Sequence, residues 1–159
     1  MTDFTWSYSS LKQYQNCPKQ YHEIRVLKNY TVKENEAMMY GKEVHEALEL
    51  YVKEGKKLAK NYQRFKDVVD KLIAIPGKKL TEFEMALNHN KEPCNFKSEN
   101  RWVRGIADLV IVDKDYAFII DYKTGSNKYP DPKQLRLMAL MLFTYFPEVQ
   151  KIKAGLLFI

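Results

Sequence analysis

Two segments, Gly105-Ile106-Ala107-Asp108 and Ile119-Ile120-Asp121-Tyr122-Lys123-Thr124-Gly125, each carry an acidic residue inside a run typical of a β-strand. Residues 102 to 112 and 116 to 123 are rich in β-branched and aromatic side chains. The polar stretch between them predicts a hairpin loop over residues 113 to 116. Antiparallel pairing around that loop would place Asp108 directly opposite Asp121, with Cβ atoms roughly 4.5 to 5.5 Å apart.

Facing carboxylates repel each other unless a cation neutralises them, and a divalent cation with oxygen ligands does this directly. Lys123 follows Asp121 by two residues and therefore projects from the same strand face. Two carboxylates and an ammonium group around one cation suit the hydrolysis of a phosphodiester. The alternative interpretation is a surface hairpin with ordinary charges, since structural ion pairs are common.

The pattern Asp-x(12)-Asp-x-Lys, with Gly-x-x-Asp and Asp-Tyr-Lys-Thr-Gly, resembles the RecB-like branch of the PD-(D/E)xK nuclease superfamily, which includes phage and CRISPR-adaptation exonucleases. The stretch from Ser7 through Cys17-Pro18 to Tyr21 looks like the opening motif of these nucleases. Gly41-Lys42-Glu43-Val44-His45 is similar to their Gly-x-x-x-His helix. Gln134-Leu135 resembles their Gln motif, although Met138 stands where a tyrosine is usual. The resemblance covers about residues 7 to 159.

This resemblance implies an α/β fold with a restriction-endonuclease-like core, a mixed central sheet flanked by helices, and an N-terminal helical half, in one domain over residues 1 to 159. It implies a Mg²⁺- or Mn²⁺-dependent deoxyribonuclease, of exonuclease type, acting on DNA ends in recombination, repair or phage DNA processing. Its metal ligands would be His45, Asp108, Asp121 and the Tyr122 carbonyl. Lys123 and Gln134 would act on the attacking water or the phosphate.

Two other functions stay open. Nuclease-like folds also serve as inactive DNA-binding subunits of helicase-nuclease assemblies, which would give the chain a helicase or recombinase partner. A basic interaction module without enzymatic activity is the third hypothesis, and it leaves the acid-acid-lysine pattern unexplained.

His45 and two glutamates extend the predicted site. A histidine at the border of an apolar helix stripe is more often a packed surface residue than a ligand, but the resemblance favours a ligand. Neutral imidazole suits Mn²⁺ better than Mg²⁺. Glu82 and Glu84 share a strand face, and either is a candidate for a further ligand, with Glu84 preferred.

The charge of the chain favours a nucleic-acid substrate. Its net charge is +6, and residues 53 to 79 contain nine Lys and Arg residues against Glu54, Asp67 and Asp70. Lys56, Lys60 and Arg64 recur every four residues, which predicts a basic stripe on one helix face that contacts phosphates. A solvated helix face is the alternative interpretation.

Composition and cysteine content narrow the class of protein. The chain has 159 residues, 45 % hydrophobic and 29 % charged, which fits one folded domain. Neither a signal peptide nor a membrane span is evident, which predicts a cytoplasmic protein of a bacterium or its phage. Some relatives bind an iron-sulfur cluster through four cysteines, but this chain has only Cys17 and Cys94, so no cluster is expected. Cys17 is interpreted as a small buried residue.

The periodicity of the chain predicts helices first and strands later. We expect helices over residues 10 to 17, 21 to 26, 37 to 54 (ended by Gly55), 56 to 75 and 133 to 145, and strands over residues 80 to 87, 102 to 112, 116 to 123 and 151 to 159. The last strand should follow a right-handed crossover if it lies parallel to its neighbour. Because the sequence stops within that strand, we expect the chain to be a fragment of a longer protein.

Overall fold

A computed structural model describes residues 4–125 and 131–159. Within these residues, four strands form one sheet in the order β1 to β4: β1 (Lys78–Asn88), β2 (Arg101–Asp113), β3 (Tyr116–Lys123) and β4 (Lys151–Phe158). The first three strands are antiparallel neighbours, and β4 pairs in parallel with β3. The predicted mixed sheet and the α/β class are confirmed.

Helices occupy the N-terminal half and the connection before β4. They are α1 (Tyr8–Asn16), α2 (Pro18–Tyr21), α3 (Glu36–Glu54), α4 (Lys66–Ile73) and α5 (Lys133–Tyr145). A π-helical turn, His22–Val26, follows α2, and a 3-10 helix, Lys60–Phe65, precedes α4. Gly55 ends α3 with φ 68°, a left-handed conformation that favours glycine, as the sequence predicts. None of the described helices is long and apolar enough to cross a membrane.

The sheet separates two hydrophobic cores, one on each face. The core on one face joins the sheet to α5 through Met138, Met141 and Leu142. The core on the other face joins it to α3 and α4 through Val44, Leu48 and Val69. The chain therefore forms helix, sheet and helix layers, as expected for an apolar sheet that must be covered on both sides.

The β2–β3 hairpin has the predicted register. The strands pair Val112 with Ala117 and continue to Leu109 with Ile120, one step short of the predicted Asp108–Asp121 pair. The turn is shorter than predicted, because residues 113 and 116 also pair and only Lys114 and Asp115 remain outside the ladder. Lys114 has φ 54°, which fits a tight two-residue turn.

The side-chain alternation of β2 reverses at Asp108. Val103 and Ala107 face the α5 core, whereas Leu109, also an odd-numbered residue, faces the α3–α4 core. A regular strand keeps residues of equal parity on one face. In the β1–β2 register Glu82 falls opposite Asp108, and neither residue forms a ladder pair there. Glu82 has φ 44°, a conformation that costs free energy for a residue with a side chain.

Two helix predictions were wrong in detail. Helix α1 begins before the predicted residue 10, because Ser7 caps it: the Ser7 side chain accepts from the Ser10 amide. Residues 56 to 75 do not form one helix, because residues 56 to 59 are not helical and a 3-10 helix precedes α4. Leu58 is 5 % exposed and anchors this connection in the core, which the helical reading missed. Pro130, which with Asp131 and Pro132 forms a sequence signal for the start of α5, lies outside the described residues.

Candidate metal centre

The candidate metal centre includes a contact between a side chain of α3 and a side chain of β2. His45 projects from α3, and its Nδ1 lies 3.1 Å from Asp108 Oδ1. The helix can approach closely because Gly41 lies one turn before His45, and a Cβ built there would lie 3.1 Å from Thr124 Oγ1. Gly41 therefore leaves room for Thr124 beside the helix.

Glu82 completes a group of three candidate ligands. One ligand atom each from His45, Glu82 and Asp108 lies within 4.8 Å of the other two. The strained backbone of Glu82 and the reversal at Asp108 occur at the same level of neighbouring strands, so the irregularity directs both carboxylates toward α3. Glu84, the residue preferred from sequence, is exposed and lies outside this group.

Asp108 is also held by β3. Its second oxygen, Oδ2, accepts a hydrogen bond of 2.6 Å from the Tyr122 backbone amide. The Tyr122 ring packs edge-on against the His45 imidazole, with centroids 5.8 Å apart. Sequence reasoning assigned Tyr122 only a carbonyl ligand, which stays a prediction. The amide contact was missed because it depends on where the β2–β3 ladder ends.

Asp121 pairs with Lys123 instead of facing Asp108 in the ladder. Lys123 Nζ lies 2.5 Å from Asp121 Oδ2 and 3.4 Å from Gln134 Oε1 at the start of α5. Asp121 is 4 % exposed. Its Oδ2 contacts the Lys123 ammonium, and this ion pair compensates the buried negative charge.

The pKa shifts reflect crowding of acids in a desolvated space. Burial raises the pKa of Asp121, and the nearby Asp108 charge raises it further, against the opposing effect of Lys123. Burial and the Asp108 charge also raise the pKa of Glu82. The hydrogen bond to Asp108 raises the pKa of His45, while desolvation lowers it. A cation bound here would relieve the repulsion among these carboxylates.

The donors fit a divalent ion. The buried Asp108 carboxylate, the partly buried Glu82 and the His45 imidazole form a nitrogen and oxygen donor set suited to Mg²⁺ or Mn²⁺. Asp121 is already paired with the Lys123 ammonium, so the fit to a cation rests on the convergence of His45, Glu82 and Asp108. A cavity of about 480 Å³ opens beside His45 and Glu82, so solvent can reach these two donors.

The predicted basic stripe is not a stripe in the structure. Lys56, Lys60 and Arg64 are exposed, but they lie on a non-helical connection and a 3-10 helix instead of one α-helix face. The Arg64 guanidinium donates to the Tyr40 hydroxyl over 2.7 Å and lies over the Phe65 ring. Contact of these three residues with phosphate stays a prediction, but the shared helix face on which it was based is absent from the structure.

Cys17 is exposed, so its interpretation as a buried residue was wrong. It caps α2, where its sulfur accepts from the Gln20 amide. Cys94 is partly exposed.

Comparison with known proteins agrees with this arrangement. The sequence model of the PD-(D/E)XK nuclease superfamily matches residues 5–159. No curated protein matches the chain by sequence. Since the match extends over nearly the whole chain, the chain belongs to the PD-(D/E)XK nuclease superfamily.

Proposed function

We propose that this chain is a Mg²⁺- or Mn²⁺-dependent deoxyribonuclease that hydrolyses phosphodiester bonds at DNA ends. The observation that carries the proposal is the convergence of His45, Glu82 and Asp108 from three separate elements on one point. The ion pair of Lys123 with Asp121 lies at the end of the neighbouring strand. An ordinary surface hairpin would not require buried acids in this arrangement.

The three converging residues would hold the ion, with Asp121 as a further carboxylate. A bound divalent ion would supply a Lewis acid for the phosphate and lower the pKa of water. Asp108 is preorganised for this role, because one oxygen faces His45 and the other is fixed by the Tyr122 amide. The Tyr122 contact keeps the carboxylate from rotating away when the site is loaded.

Lys123 would stabilise negative charge on the phosphate or orient the attacking water. Asp121 and Gln134 hold its ammonium group from two sides, so the charge is placed before substrate arrives. Gln134 would position the lysine through this contact, and its amide can also reach toward water or phosphate. A charge placed in advance stabilises the transition state more strongly in a partly desolvated site than in bulk water, because the local dielectric constant is lower.

The net charge of +6 favours a polyanionic substrate. We propose DNA as that substrate, exonucleolytic digestion as the mode, and recombination, repair or phage DNA processing as the setting. A helicase or recombinase partner would fit such a setting.

The test uses purified protein with Mg²⁺ or Mn²⁺ on end-labelled linear DNA and on closed circular DNA, each single- and double-stranded, with RNA as a comparison. We expect metal-dependent release of label from linear DNA and little cleavage of circles. Cleavage of circular DNA would show that the protein acts as an endonuclease and not as an exonuclease. Binding without hydrolysis in any metal would instead indicate an inactive DNA-binding subunit.

A further inference from the structure

A second cavity, of about 470 Å³, lies beside α1 and outside the metal centre. We call it the aromatic pocket, because its walls are mainly aromatic: Phe4, Trp6, Tyr14, Tyr21 and Trp102. Two pairs of these rings meet edge to face, Trp6 with Trp102 and Tyr14 with Tyr21, each with centroids 5.6 Å apart. Its volume lies in the range of small-molecule sites.

Two of these rings face solvent. Phe4 is 60 % exposed and Tyr14 is 51 % exposed. Leu11 adds an exposed aliphatic side chain to the same wall. Flat, exposed aromatic surfaces are the usual stacking platform for unpaired bases, because every base has a π-face.

The charge around the aromatic pocket favours a polyanion. Residues 4 to 21 contain Lys19 and Lys12, of which Lys12 is paired with Asp131, and no aspartate or glutamate. Arg104 is exposed and follows Trp102 by two residues on β2. A phosphate backbone can therefore pass the pocket without meeting a carboxylate from this segment.

Helix α1 connects the aromatic pocket to the metal centre. At its start, Tyr8 and Lys12 both contact Asp131, whose other oxygen accepts from the Lys133 amide at 3.1 Å. Gln134, one residue further on, contacts Lys123. Tyr14 lies six residues beyond Tyr8, about 9 Å along the helix axis. A strand that leaves the metal centre along α1 would reach the pocket within a few nucleotides.

We propose that the aromatic pocket binds an unpaired base of the nucleic-acid substrate, which makes single-stranded ends the preferred substrate class. This inference rests on the proposed nuclease function. The competing occupant is an apolar segment of a protein, which would not need the positive charge or the connection through α1.

Tryptophan fluorescence tests the proposal, because Trp6 and Trp102 are the only tryptophans of the chain. The protein is titrated in chelator with a short oligodeoxythymidylate and with an oligonucleotide of equal length that carries abasic sugars. Both probes have the same phosphates, but only the first has bases. We expect saturable quenching by the first probe and little change with the second. Equal responses, or no response to either probe, would overturn the proposal.

Two exposed tyrosines supply a matched pair of variants. Tyr14→Ala should weaken binding of oligodeoxythymidylate by roughly tenfold and leave binding of the abasic probe unchanged. Tyr30→Ala, at a residue that is 66 % exposed and does not line the pocket, should change neither. Circular dichroism checks that both variants fold. Equal affinities for Tyr14→Ala and wild type would refute the base-binding role.

Failure of this inference is distinguishable from failure of the nuclease proposal. If wild type hydrolyses DNA with Mn²⁺ while its fluorescence and the Tyr14→Ala affinity stay unchanged, only the base-binding role is lost. If wild type hydrolyses no DNA but shows base-dependent quenching, the nuclease proposal fails. The aromatic pocket would then bind bases in a DNA-binding protein without nuclease activity.

Discussion

At the scale of single residues, the lysine of the site is held more firmly than a surface lysine. Its ammonium group contacts a buried carboxylate and a glutamine amide, so its side-chain freedom is already reduced in the free protein. A charge placed in advance stabilises a transition state without reorganisation at the moment of reaction. Lys123 is therefore the residue whose loss should separate catalysis from binding.

Lys123→Ala should lower kcat by roughly 100-fold or more, because it removes a preorganised charge and leaves the candidate ligands in place. DNA affinity, measured with Ca²⁺, should change little. Lys151→Ala, which removes an exposed charge at the start of β4, is the control and should retain wild-type turnover. Full turnover by Lys123→Ala would exclude the role assigned to this lysine.

The two glutamates of β1 give a second comparison of single residues. Glu82→Gln should weaken Mn²⁺ binding by at least about tenfold, because Glu82 lies in the ligand group. Glu84→Gln makes the same change of charge two residues away at an exposed position, and should leave the affinity unaltered. Calorimetric titration measures both. The reverse order of effects would restore Glu84 as the ligand.

At the scale of secondary-structure elements, the turn before β1 fixes how the first strand joins the sheet. Gly77 has φ 116°, and a Cβ built there would lie 2.4 Å from the Val112 carbonyl oxygen. No side chain fits that position without backbone movement. This turn aligns β1 with β2, and therefore Glu82 with Asp108.

Gly77→Ala should lower the free energy of unfolding by about 1 to 3 kcal/mol, because it combines a strained φ with a backbone clash. Gly155→Ala is the matched control: no atom lies within 4 Å of its built Cβ and its φ is ordinary, so it should change stability by less than about 0.5 kcal/mol. Urea denaturation measures both. Equal stability of the two variants would mean that the turn at Gly77 relaxes freely.

The elements also show which features the sequence can predict. The β2–β3 register was predictable because two strong strand patterns flank a short polar turn, which leaves few ways to pair them. The β1–β2 register was not, because residues 89 to 100 separate these strands and contain no regular helix or strand. The choice of Glu82 over Glu84 depends on that register and on a local reversal of the strands.

The helix predicted over residues 56 to 75 failed for a different reason. Its apolar spacing also fits a 3-10 helix followed by a shorter α-helix, and the buried Leu58 lies in a segment that is not helical. Tertiary packing, and not local propensity, selects between these arrangements. The basic stripe depended on the longer helix and disappears with it.

At the scale of the whole molecule, the metal centre joins the helical half to the sheet. His45 comes from α3, Glu82 from β1 and Asp108 from β2, while Gln134 of α5 contacts Lys123 from the opposite face. A cation that binds these groups only in the folded chain would stabilise the fold as well as support the chemistry. The repulsion among the buried acids in the absence of the ion acts in the opposite direction.

The metal dependence of DNA hydrolysis is the decisive measurement. The purified chain is assayed on linear DNA with Mn²⁺, then with excess chelator, and then with Mn²⁺ restored. Asp108→Asn, which keeps the shape of the side chain and removes its charge, is measured in parallel after its fold has been checked by circular dichroism. We expect wild-type hydrolysis to stop with chelator and return with Mn²⁺, and Asp108→Asn to be inactive throughout. Undiminished hydrolysis in chelator, or wild-type rates in Asp108→Asn, would contradict this expectation.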